Sequence, residues 1–307
     1  MTRSARARVR ELTAFVVRFS GFPWLIRAIV ARRRATIVVY HDPAPDTLDR
    51  HLAYLTSRYR VITLDQLAEA LQVREWSKIP KRALVVTVDD GHRGNRRLTN
   101  VFAKHGVVPT LYLCSQIVAT HRGFWFQKCD SAFSQGMKRL PQADRLEQLF
   151  DHSGFSVTKE YPDATALSAS ELQAMESQFD YGAHTRFHPI LTLCSDAECE
   201  TEIRGSRSDL EARFGKPCKH FSYPNGDYTD REVDFARRAG FASARTTEVG
   251  WNGPNTDPYR LRVTGVTDDA SINMLAVQLS GIPAYLRCVA AGSWTGTTRK
   301  NLMRSDA

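Results

Sequence analysis

The sequence predicts an α/β fold, a distorted (β/α)7-type barrel that carries a basic amphipathic helical extension at its N-terminus. Two observations lead to this prediction: seven short runs rich in β-branched residues recur along the chain, and segments with helical spacing of apolar residues separate them. Strands that alternate with helices form a parallel sheet, and about seven such units favour a closed barrel over an open sheet. The predicted strands are 35–41, 83–91, 107–114, 180–185, 220–226, 241–247 and 259–266.

Length and composition fit one large folded unit. The chain has 307 residues, of which 42% are hydrophobic and 24% charged, and these values are typical of globular rather than disordered proteins. Its six cysteines include no Cys-x-x-Cys pair, which argues against a zinc ribbon and a disulfide framework. Reduced, buried thiols are then the default, and we expect a cytoplasmic or inner-face membrane-peripheral protein of a bacterium.

The N-terminal extension, residues 1–34, is strongly basic. It carries a single acid, Glu11, against nine arginines: Arg3, Arg6, Arg8, Arg10, Arg18, Arg27, Arg32, Arg33 and Arg34. Its apolar stretch, about residues 12–30, is interrupted by Arg18, Arg27 and a Gly-Phe-Pro sequence, which disfavours a transmembrane helix. The stretch also lacks the continuous apolar core and the cleavage site of a signal peptide.

Two interpretations of this extension stay open. Arginines that alternate with apolar residues such as Phe15, Phe19 and Trp24 suit an amphipathic segment that lies on an anionic membrane surface. The same pattern suits an N-terminal helix that packs on the domain. Nucleic acid is not predicted as a partner, since no recognised binding motif accompanies the charge.

The barrel domain is predicted to span residues 35–291. Within it, segments 46–59 and 196–215 have helical apolar spacing, and the second ends on a glycine, which commonly terminates helices. Segment 115–179 has weaker periodicity, and we expect it to wrap over the mouth of the barrel as helices and loops. Residues 292–307 are predicted to form a polar tail.

The run ALVVTVDDGHRGN leads a predicted strand into two adjacent carboxylates, Asp89 and Asp90. Like charges repel, and burial at a strand end would raise the pKa of at least one carboxyl group unless a cation or hydrogen-bond donors compensate. A solvated turn is the alternative, because Asp and Gly are ordinary turn residues. In barrels of this type the chemistry collects at the C-terminal ends of the strands, where His41, His184 and Asn225 are also expected.

The stretch YGAHTRFHPIL contains two histidines, His184 and His188, that are four residues apart. This spacing brings both imidazoles to one face if the strand runs into a helical turn. A single histidine is usually structural. Two histidines joined by a carboxylate from the Asp-Asp pair would instead form a metal site with coordination positions left free for water and substrate.

These residues resemble the polysaccharide deacetylases, also called the chitooligosaccharide deacetylase homology or carbohydrate esterase 4 family. The first motif of that family, Thr-Phe-Asp-Asp-Gly, is matched by Thr-Val-Asp-Asp-Gly at residues 87–91. Its second motif, His-Ser/Thr-x-x-x-His or a close variant, is matched by His-Thr-Arg-Phe-His at residues 184–188. The resemblance covers about residues 35 to 270.

The resemblance implies a role for each of these groups. Asp89 would be the catalytic base, while Asp90, His184 and His188 would hold a divalent metal. Zinc is the expected metal, with cobalt, nickel or manganese as alternatives. In this chemistry the metal polarises the acetamide carbonyl while a carboxylate takes the proton of the attacking water. The cation would also stabilise both neighbouring carboxylates in their ionised form.

The chain departs from the family pattern in two places. The third motif usually carries an arginine before Pro-Tyr-Gly, but residues 222–226 read Ser-Tyr-Pro-Asn-Gly, so Arg245 or Arg262 would have to brace the base. The fifth motif supplies a late acid histidine, but no histidine follows His220. We expect His41 to be the catalytic acid, because the branch that resembles poly-N-acetylglucosamine deacetylases places this histidine in an early Tyr-His. The alternative is that His41 only packs beneath the mouth.

Substrate contacts are expected from aromatic and polar residues near the mouth. Exposed aromatic rings stack on sugar rings, although such residues are more often part of the core. A backbone N–H near Tyr223 is a candidate second donor to the oxyanion of the reaction. The predicted substrate-binding residues are Tyr223, Asn225, Trp125 and Arg245.

The sequence therefore predicts a hydrolase of amide carbon–nitrogen bonds. Its expected activity is metal-dependent removal of N-acetyl groups from a GlcNAc-type polysaccharide, oligosaccharide or lipid-linked glycan. One alternative is a catalytically inactive glycan-binding relative in a membrane-associated glycan assembly system, motivated by the two departures. Another is an architectural subunit whose function lies in its basic N-terminus. The complete predicted ligand set favours the enzyme.

Overall fold

The computed structural model describes residues 3–281. Its strands are β1 (Ala35–Tyr40), β2 (Arg60–Val61), β3 (Ala83–Val88), β4 (Thr110–Leu113), β5 (Asp180–Ala183), β6 (His220–Ser222), β7 (Ser243–Val249) and β8 (Leu261–Gly265). The α-helices among the described residues are α1 (Arg3–Phe19), α2 (Phe22–Ile29), α3 (Pro45–Thr56), α4 (Leu64–Gln72), α5 (Thr99–Lys104), α6 (Ser131–Met137), α7 (Gln142–Ser153), α8 (Ala169–Met175), α9 (Asp196–Phe214), α10 (Asp230–Arg238) and α11 (Ile272–Leu279).

The strands close into a barrel in which every pairing is parallel. β1 pairs with β3 along its whole length and with β8 on its other side, and β3 to β8 follow one another in chain order. This closed ring of seven parallel strands confirms the predicted (β/α)7 architecture. The additional strand β2 was not predicted; its two residues pair only with the start of β3 and are too short to show an alternating pattern.

Two apolar layers hold the barrel together, because side chains alternate between the faces of each strand. On β1, Val38 and Tyr40 point outward and pack with helix residues such as Leu52. The intervening Ile37 and Val39 join buried side chains of β3, β4 and β8 in the barrel interior. The interior at this level is thus filled by aliphatic side chains and by the ring of Tyr112, and the charged residues of the motifs follow at the strand ends.

Helix α4 closes the N-terminal end of the barrel. Its apolar residues Leu64, Leu67 and Leu71 belong to the interior cluster. Its polar side accepts hydrogen bonds from the beginning of β6, where His220 Nε2 lies 2.7 Å from Asp65 Oδ1. With one end of the barrel plugged in this way, access to the interior is from the C-terminal ends of the strands.

The longest helix on the barrel, α9, has the ends that its sequence predicts. Ser195 forms a capping box at its start, and Gly215 adopts a left-handed conformation at its end, with φ 63°. Helix α3 likewise occupies most of the predicted segment 46–59. Local capping signals therefore set these boundaries before tertiary packing is considered.

The N-terminal extension forms α1 and α2, and α1 packs against α11. Glu11 accepts hydrogen bonds from Ser271 Oγ and Asn273 Nδ2, both at 2.7 Å. Arg18 Nη1 donates to Asn273 Oδ1 at 2.8 Å, and Ala14 is buried in the contact. One face of α1 therefore packs on the domain, as the second interpretation expected.

The described helices include none that is long and apolar enough to cross a membrane alone. Residues 5–19 and 22–29 would pass that test as a pair, by length and composition only, but the two helices bend by 53° at the break between them.

Segment 115–179 forms α6, α7, α8 and connecting loops, as expected from its weak periodicity. It lies beside the mouth of the barrel, since Leu167 N–H donates to Gly91 O at 3.0 Å and Arg93 N–H to Thr165 O at 2.9 Å. The predicted polar tail, 292–307, lies outside the described residues, as do the last ten residues of the predicted barrel domain.

Candidate active site

Three predicted ligands converge at the mouth of the barrel. The Nε2 atoms of His184 and His188 lie 3.4 Å and 3.3 Å from Asp90 Oδ1. The candidate ligand atoms of the three residues all lie within 4.8 Å of one another, and all three side chains are buried. Asp90 follows β3 and His184 follows β5, so the parallel sheet brings together groups that are far apart in sequence.

Hydrogen bonds hold the imidazole of His184 and the backbone of His188. His184 Nδ1–H donates to Ser222 O at 2.8 Å, which leaves its Nε2 lone pair facing Asp90. The backbone of His188 is held at both ends: its N–H donates to Thr185 Oγ1 at 3.0 Å, and its carbonyl accepts from Trp125 Nε1 at 2.9 Å. These partners preorganise the two histidines as ligands.

Backbone strain is concentrated at this site. Asp90, Thr185 and His188 have φ values of 74°, 65° and 58°, in the left-handed region that side chains other than glycine rarely adopt. Each such residue costs on the order of 1–3 kcal/mol, which the surrounding structure must offset. Three strained residues around one cavity indicate a functional rather than a purely structural arrangement.

The electrostatics of the cluster favour metal binding. Burial lowers the pKa of His184 to about 4, so its imidazole is neutral and can act as a ligand near neutral pH. Burial alone would raise the pKa of Asp90, but the neighbouring imidazoles of His188 and His92 outweigh it and hold that pKa well below its usual range. A neutral imidazole and an ionised carboxylate are the protonation states that a cation requires.

The donor set fits a divalent metal. Asp90 Oδ1 is buried and has no hydrogen-bond partner among the described residues, although two imidazole nitrogens approach it. Leaving a buried carboxylate oxygen unpaired is costly unless a cation supplies the missing interaction. Two nitrogen ligands and one oxygen ligand match the preferences of zinc and leave room for water and substrate.

Asp89 lies beside this cluster in a different environment. Its Oδ2 accepts a hydrogen bond from Arg245 Nη2, and the same nitrogen donates to Ser222 Oγ at 2.5 Å. Arg245 lies on β7 and is only 1% exposed. The other oxygen, Asp89 Oδ1, is buried without a partner among the described residues and is free to accept a proton. The arginine missing from the third motif is thus supplied by the neighbouring strand.

A model of the family described as polysaccharide deacetylase matches residues 77–244, which is more than half of the chain. The chain belongs to the polysaccharide deacetylase family. The matched range runs from just before β3 into β7, and it includes Asp89 and the three candidate ligands. The family predicted from the two motifs is confirmed.

Solved polysaccharide deacetylases share the fold. A Streptococcus pyogenes deacetylase, PplD, in complex with acetate is 17% identical, with a TM-score of 0.60 over 80% of this chain and 98% of that one. IcaB from Ammonifex degensii is also 17% identical, with a TM-score of 0.60 over 80% and 97%. A polysaccharide deacetylase from Bacillus cereus has 17% identity and a TM-score of 0.57 over 81% and 69%. No curated protein matches the chain by sequence.

In this member of the deacetylase family, His41 stands at the mouth beside Asp89. It follows β1 directly, and Asp89 N–H donates to Tyr40 O at 2.9 Å. His41 is exposed, and the alternation that places Ile37 and Val39 in the interior predicts the same face for its side chain. Its backbone N–H donates to the Asp268 carboxylate at 3.1 Å.

Three of the predicted substrate-binding residues are buried, contrary to the exposure expected of the two aromatic ones. Trp125 is 4% exposed, and its Nε1–H donates to the carbonyl of His188. Tyr223 is 1% exposed, and its hydroxyl donates to Tyr259 O. Neither ring is available to stack on a sugar. The Tyr223 N–H already donates to Arg245 O at 3.1 Å, so it is not an oxyanion donor. Arg245 is buried against Asp89 and does not face the substrate.

Asn225 and Arg262, two further residues singled out from the sequence, are both at least partly exposed. Asn225 is exposed after β6, with φ 56°, and its amide donates to Asp227 Oδ2 at 2.6 Å. It therefore stays a predicted substrate contact. Arg262, the other candidate to brace the base, has a half-exposed side chain 3.9 Å from Glu248 and is not bonded to Asp89.

Sequence reasoning missed His92, two residues beyond Asp90. Its Nε2 lies 3.0 Å from Asp90 Oδ2, so the two carboxylate oxygens of Asp90 face different imidazoles. Burial would lower the pKa of His92, but the Asp90 carboxylate outweighs it and raises that pKa. The signal was its place directly after the Asp-Asp-Gly motif, where any side chain remains close to the site.

Proposed function

We propose that the protein is a metal-dependent N-deacetylase, which hydrolyses the acetamide of a GlcNAc-type sugar in a polysaccharide, an oligosaccharide or a lipid-linked glycan. The observation that carries the proposal is the juxtaposition of two unlike carboxylates. Asp90 points one oxygen at two imidazoles, and Asp89 is braced by Arg245 with its other oxygen unpaired. This arrangement supplies a cation site and a base side by side.

The cation would be held by Asp90, His184 and His188, and zinc is the proposed ion. When bound, such an ion supplies the polarisation that an acetamide carbonyl needs and lowers the pKa of water. The low pKa of His184 supports this role, since a neutral imidazole is ready to ligate without first losing a proton.

Asp89 takes the proton of the attacking water in this proposal. A general base must have a free lone pair within reach of the proton, and Asp89 Oδ1 meets this condition. Arg245 Nη2 holds the other oxygen, which fixes the direction in which the carboxylate points. Because Arg245 also bonds Ser222 Oγ, the position of the base is tied to β6 and β7 together.

His41 donates the proton that the departing amine needs. An amine is too basic to leave unprotonated, so an acid is required on the side of the substrate that faces away from the base. His41 is exposed at the mouth, level with Asp89, and Asp268 fixes its backbone. Asn95 Nδ2 donates to the His41 carbonyl at 2.7 Å, which holds the same peptide from the other side.

A catalytically inactive role is not favoured. That alternative rested on the missing arginine and the missing late histidine. The first is replaced in space by Arg245, and the second has a candidate substitute in His41. The candidate ligand set and the candidate base, both within the described residues, support a catalytic role.

The compartment is proposed to be the cytoplasm or the inner face of a bacterial membrane. The described cysteines support this placement, since all of them carry free thiols: Cys114, Cys129, Cys194, Cys199 and Cys218. Reducing compartments keep such thiols unpaired. Cell fractionation with thiol labelling before lysis measures the compartment, and labelling of intact cells would contradict it.

Acetate release is the direct test. The purified chain is incubated with N-acetylated chitooligosaccharides after chelation and after addition of zinc or cobalt, and acetate and free amines are counted. We expect equal amounts of both, only with metal. The control is Asp234→Asn, which changes an exposed helix carboxylate and should retain full activity. Failure of the metal-loaded chain on oligomers and polymers alike, with metal binding intact, would point to the inactive binding role.

A further inference from the structure

The exposed apolar side chains of the protein are concentrated on α1 and α2. In the described residues, 13 large hydrophobic residues are exposed, and only Val73, Val108 and Phe150 lie elsewhere. The remaining ten are Val9, Leu12, Phe15, Val16, Phe19, Phe22, Trp24, Leu25, Ile29 and Val30. Together with the exposed arginines between residues 6 and 34, they define the N-terminal amphipathic surface. A patch this dense marks an interaction site rather than scattered surface residues.

On α1 these side chains form one stripe. Positions 9, 12, 15, 16 and 19 are three or four residues apart, so they occupy a single face of the helix. Glu11, Ala14 and Arg18 occupy the face toward α11. The stripe is therefore not the side by which α1 packs on the barrel. Leu12 is 65% exposed and Phe19 64%, whereas Ala14 is 3% exposed.

The charge around the stripe is of one sign. Arg6, Arg8 and Arg10 are exposed on α1, and residues 32–34, all arginine, are exposed after α2. The single acid, Glu11, is already bonded to Ser271 and Asn273 on the barrel side. No carboxylate of this extension is thus left to offset the arginines.

We propose that the N-terminal amphipathic surface docks in the plane of an anionic lipid bilayer. Apolar rings enter the headgroup boundary while the arginines meet lipid phosphates and anionic headgroups. Charge complementarity selects this occupant over a second copy of the chain, since two such surfaces face to face would repel. The proposal does not rest on the proposed deacetylase activity.

The contact between α1 and α11 indicates how the barrel would be oriented relative to the bilayer. Helix α11 follows β8, and its N-cap, Ser271, is bonded to Glu11 in the middle of α1. Asp268, three residues before Ser271, holds the backbone of His41 at the mouth. The middle of α1 therefore lies toward the mouth end of the barrel, whereas residues 32–34 lead into the start of β1 at the opposite end. Docking would place the side of the barrel that carries α1 against the bilayer, with the mouth at one edge of the contact.

Vesicle binding by the full chain tests the docking. Co-sedimentation is measured with vesicles of phosphatidylcholine alone and with vesicles that also contain phosphatidylglycerol. We expect binding only to the second, weakened by salt. The variant with Leu12→Gln, Phe19→Gln and Trp24→Gln should bind at least about a hundredfold more weakly, because three exposed apolar side chains are lost.

The matched control removes the same kind of residue elsewhere. It carries Val73→Gln, Val108→Gln and Phe150→Gln, the exposed hydrophobics outside the surface, and should bind like the parent. A charge variant with Arg6→Gln, Arg8→Gln and Arg10→Gln should bind about tenfold more weakly or worse. Its control carries Lys81→Gln, Arg213→Gln and Arg238→Gln at exposed positions of the barrel. The vesicle affinity of this control should be close to that of the parent.

Fluorescence reports the depth of insertion. Trp24 is 63% exposed, so transfer of its ring into the bilayer should shift the emission to the blue and allow quenching by brominated lipids. Both signals should vanish in Trp24→Phe, which keeps an apolar ring. Asp89→Asn should bind vesicles like the parent, which separates docking from catalysis.

Three outcomes would overturn the docking proposal. Equal binding to both vesicle types would show that charge plays no part. A concentration-dependent dimer abolished by the Leu12, Phe19 and Trp24 variant would assign the surface to a second copy. A monomer that binds neither vesicle would show that the surface does not dock on lipid.

Discussion

Asp89 and Asp90 are neighbours in sequence with unlike partners. Successive residues of a strand point to opposite faces, so an extended backbone would separate the two carboxylates. The left-handed conformation of Asp90, with φ 74°, turns its side chain toward the histidines while Asp89 stays on the interior face with Arg245. The left-handed conformation of Asp90 thus places the candidate ligand and the candidate base next to each other.

Asp89→Asn should separate these two roles. The amide cannot accept a proton from water, and we expect turnover to fall by at least about a hundredfold, the usual contribution of a positioned base. Metal content should stay near one ion per chain, because the ligands are untouched. Acetate release and metal analysis are measured on the same preparation. Near-normal acetate release would remove Asp89 from the mechanism.

His41→Ala should lower turnover by roughly 10²–10⁴-fold without loss of metal. The reason is that the leaving amine loses its proton donor, while the backbone contacts of His41 with Asp268 and Asn95 do not depend on the side chain. An ester substrate should be affected less, because an alkoxide is a far better leaving group than the amide anion that would have to depart from the acetamide without a proton donor. His121→Ala, at another exposed histidine, is the control. Full amidase activity of His41→Ala would leave the acid unidentified.

Helix α9 holds the loop between the two histidine ligands. Glu202 Oε2 accepts the backbone N–H groups of Arg186 and Phe187, at 2.8 Å and 3.0 Å. Asp209, two turns along the helix, accepts from Arg186 Nε at 3.1 Å and from Ser115 Oγ at 2.8 Å. The helix thus fixes the strained loop from outside the barrel.

Glu202→Ala should therefore weaken metal binding by about 10–100-fold, as expected when a group that positions ligands is removed. Glu202→Gln keeps an oxygen that can accept both N–H groups and should recover most of the affinity. The control is Glu200→Ala, an exposed residue of the same helix that pairs with Arg204. Zinc affinity is measured by competition with a chelator. Unchanged affinity in Glu202→Ala would show that the loop holds itself.

Helix α3 contributes a pH dependence of stability through His51. Burial lowers the pKa of His51, whose Nδ1 lies 3.1 Å from Tyr40 Oη and whose Nε2 lies 2.7 Å from Ala270 O. The folded state therefore holds a neutral imidazole, whereas the unfolded chain protonates it near pH 6.5. This contribution to stability is fully present above about pH 6.5 and is lost as the pH falls below it.

Urea unfolding at about pH 8 and about pH 5.5 measures this effect. The parent should lose more unfolding free energy between the two conditions than His51→Gln, which cannot titrate. His121→Gln removes an exposed histidine and should behave like the parent. The same pH slope in His51→Gln and the parent would show that other groups account for the acid sensitivity.

Across the whole molecule, the candidate metal site connects strands that are far apart in sequence. Asp90 follows β3, His184 follows β5, and His184 is itself held by β6 through Ser222. A ligand that binds only the folded state stabilises it by mass action, by about 2.7 kcal/mol at a hundredfold excess over its dissociation constant. We therefore expect zinc to raise the melting temperature and a chelator to reverse the gain.

The ligand variants distinguish this effect from nonspecific zinc binding. Asp90→Asn and His188→Ala should lose the zinc-dependent rise in melting temperature, while Asp89→Asn should keep it. The readout is thermal unfolding with and without zinc, and it needs no substrate. An equal rise in all variants would place the zinc elsewhere on the chain.

The barrel, the two motifs and the ends of helices such as α9 could be predicted from local patterns along the chain. These features are set by local signals: alternating apolar runs, capping residues and a glycine at a helix end. The two residue pairs of the site could also be recognised, because each pair lies within one short stretch of sequence. These pairs are Asp89 with Asp90 and His184 with His188. The family is confirmed on the same stretches.

Local patterns could not predict which arginine contacts Asp89 or which of the proposed substrate-binding side chains are exposed, because both depend on the tertiary fold. Arg245 reaches Asp89 because β6 and β7 are in register at Ser222 and Arg245, a pairing that no local pattern encodes. Trp125 and Tyr223 are buried because distant backbone carbonyls accept their polar hydrogens. Composition cannot distinguish a core ring from an exposed one, since burial depends on what the rest of the chain brings alongside it.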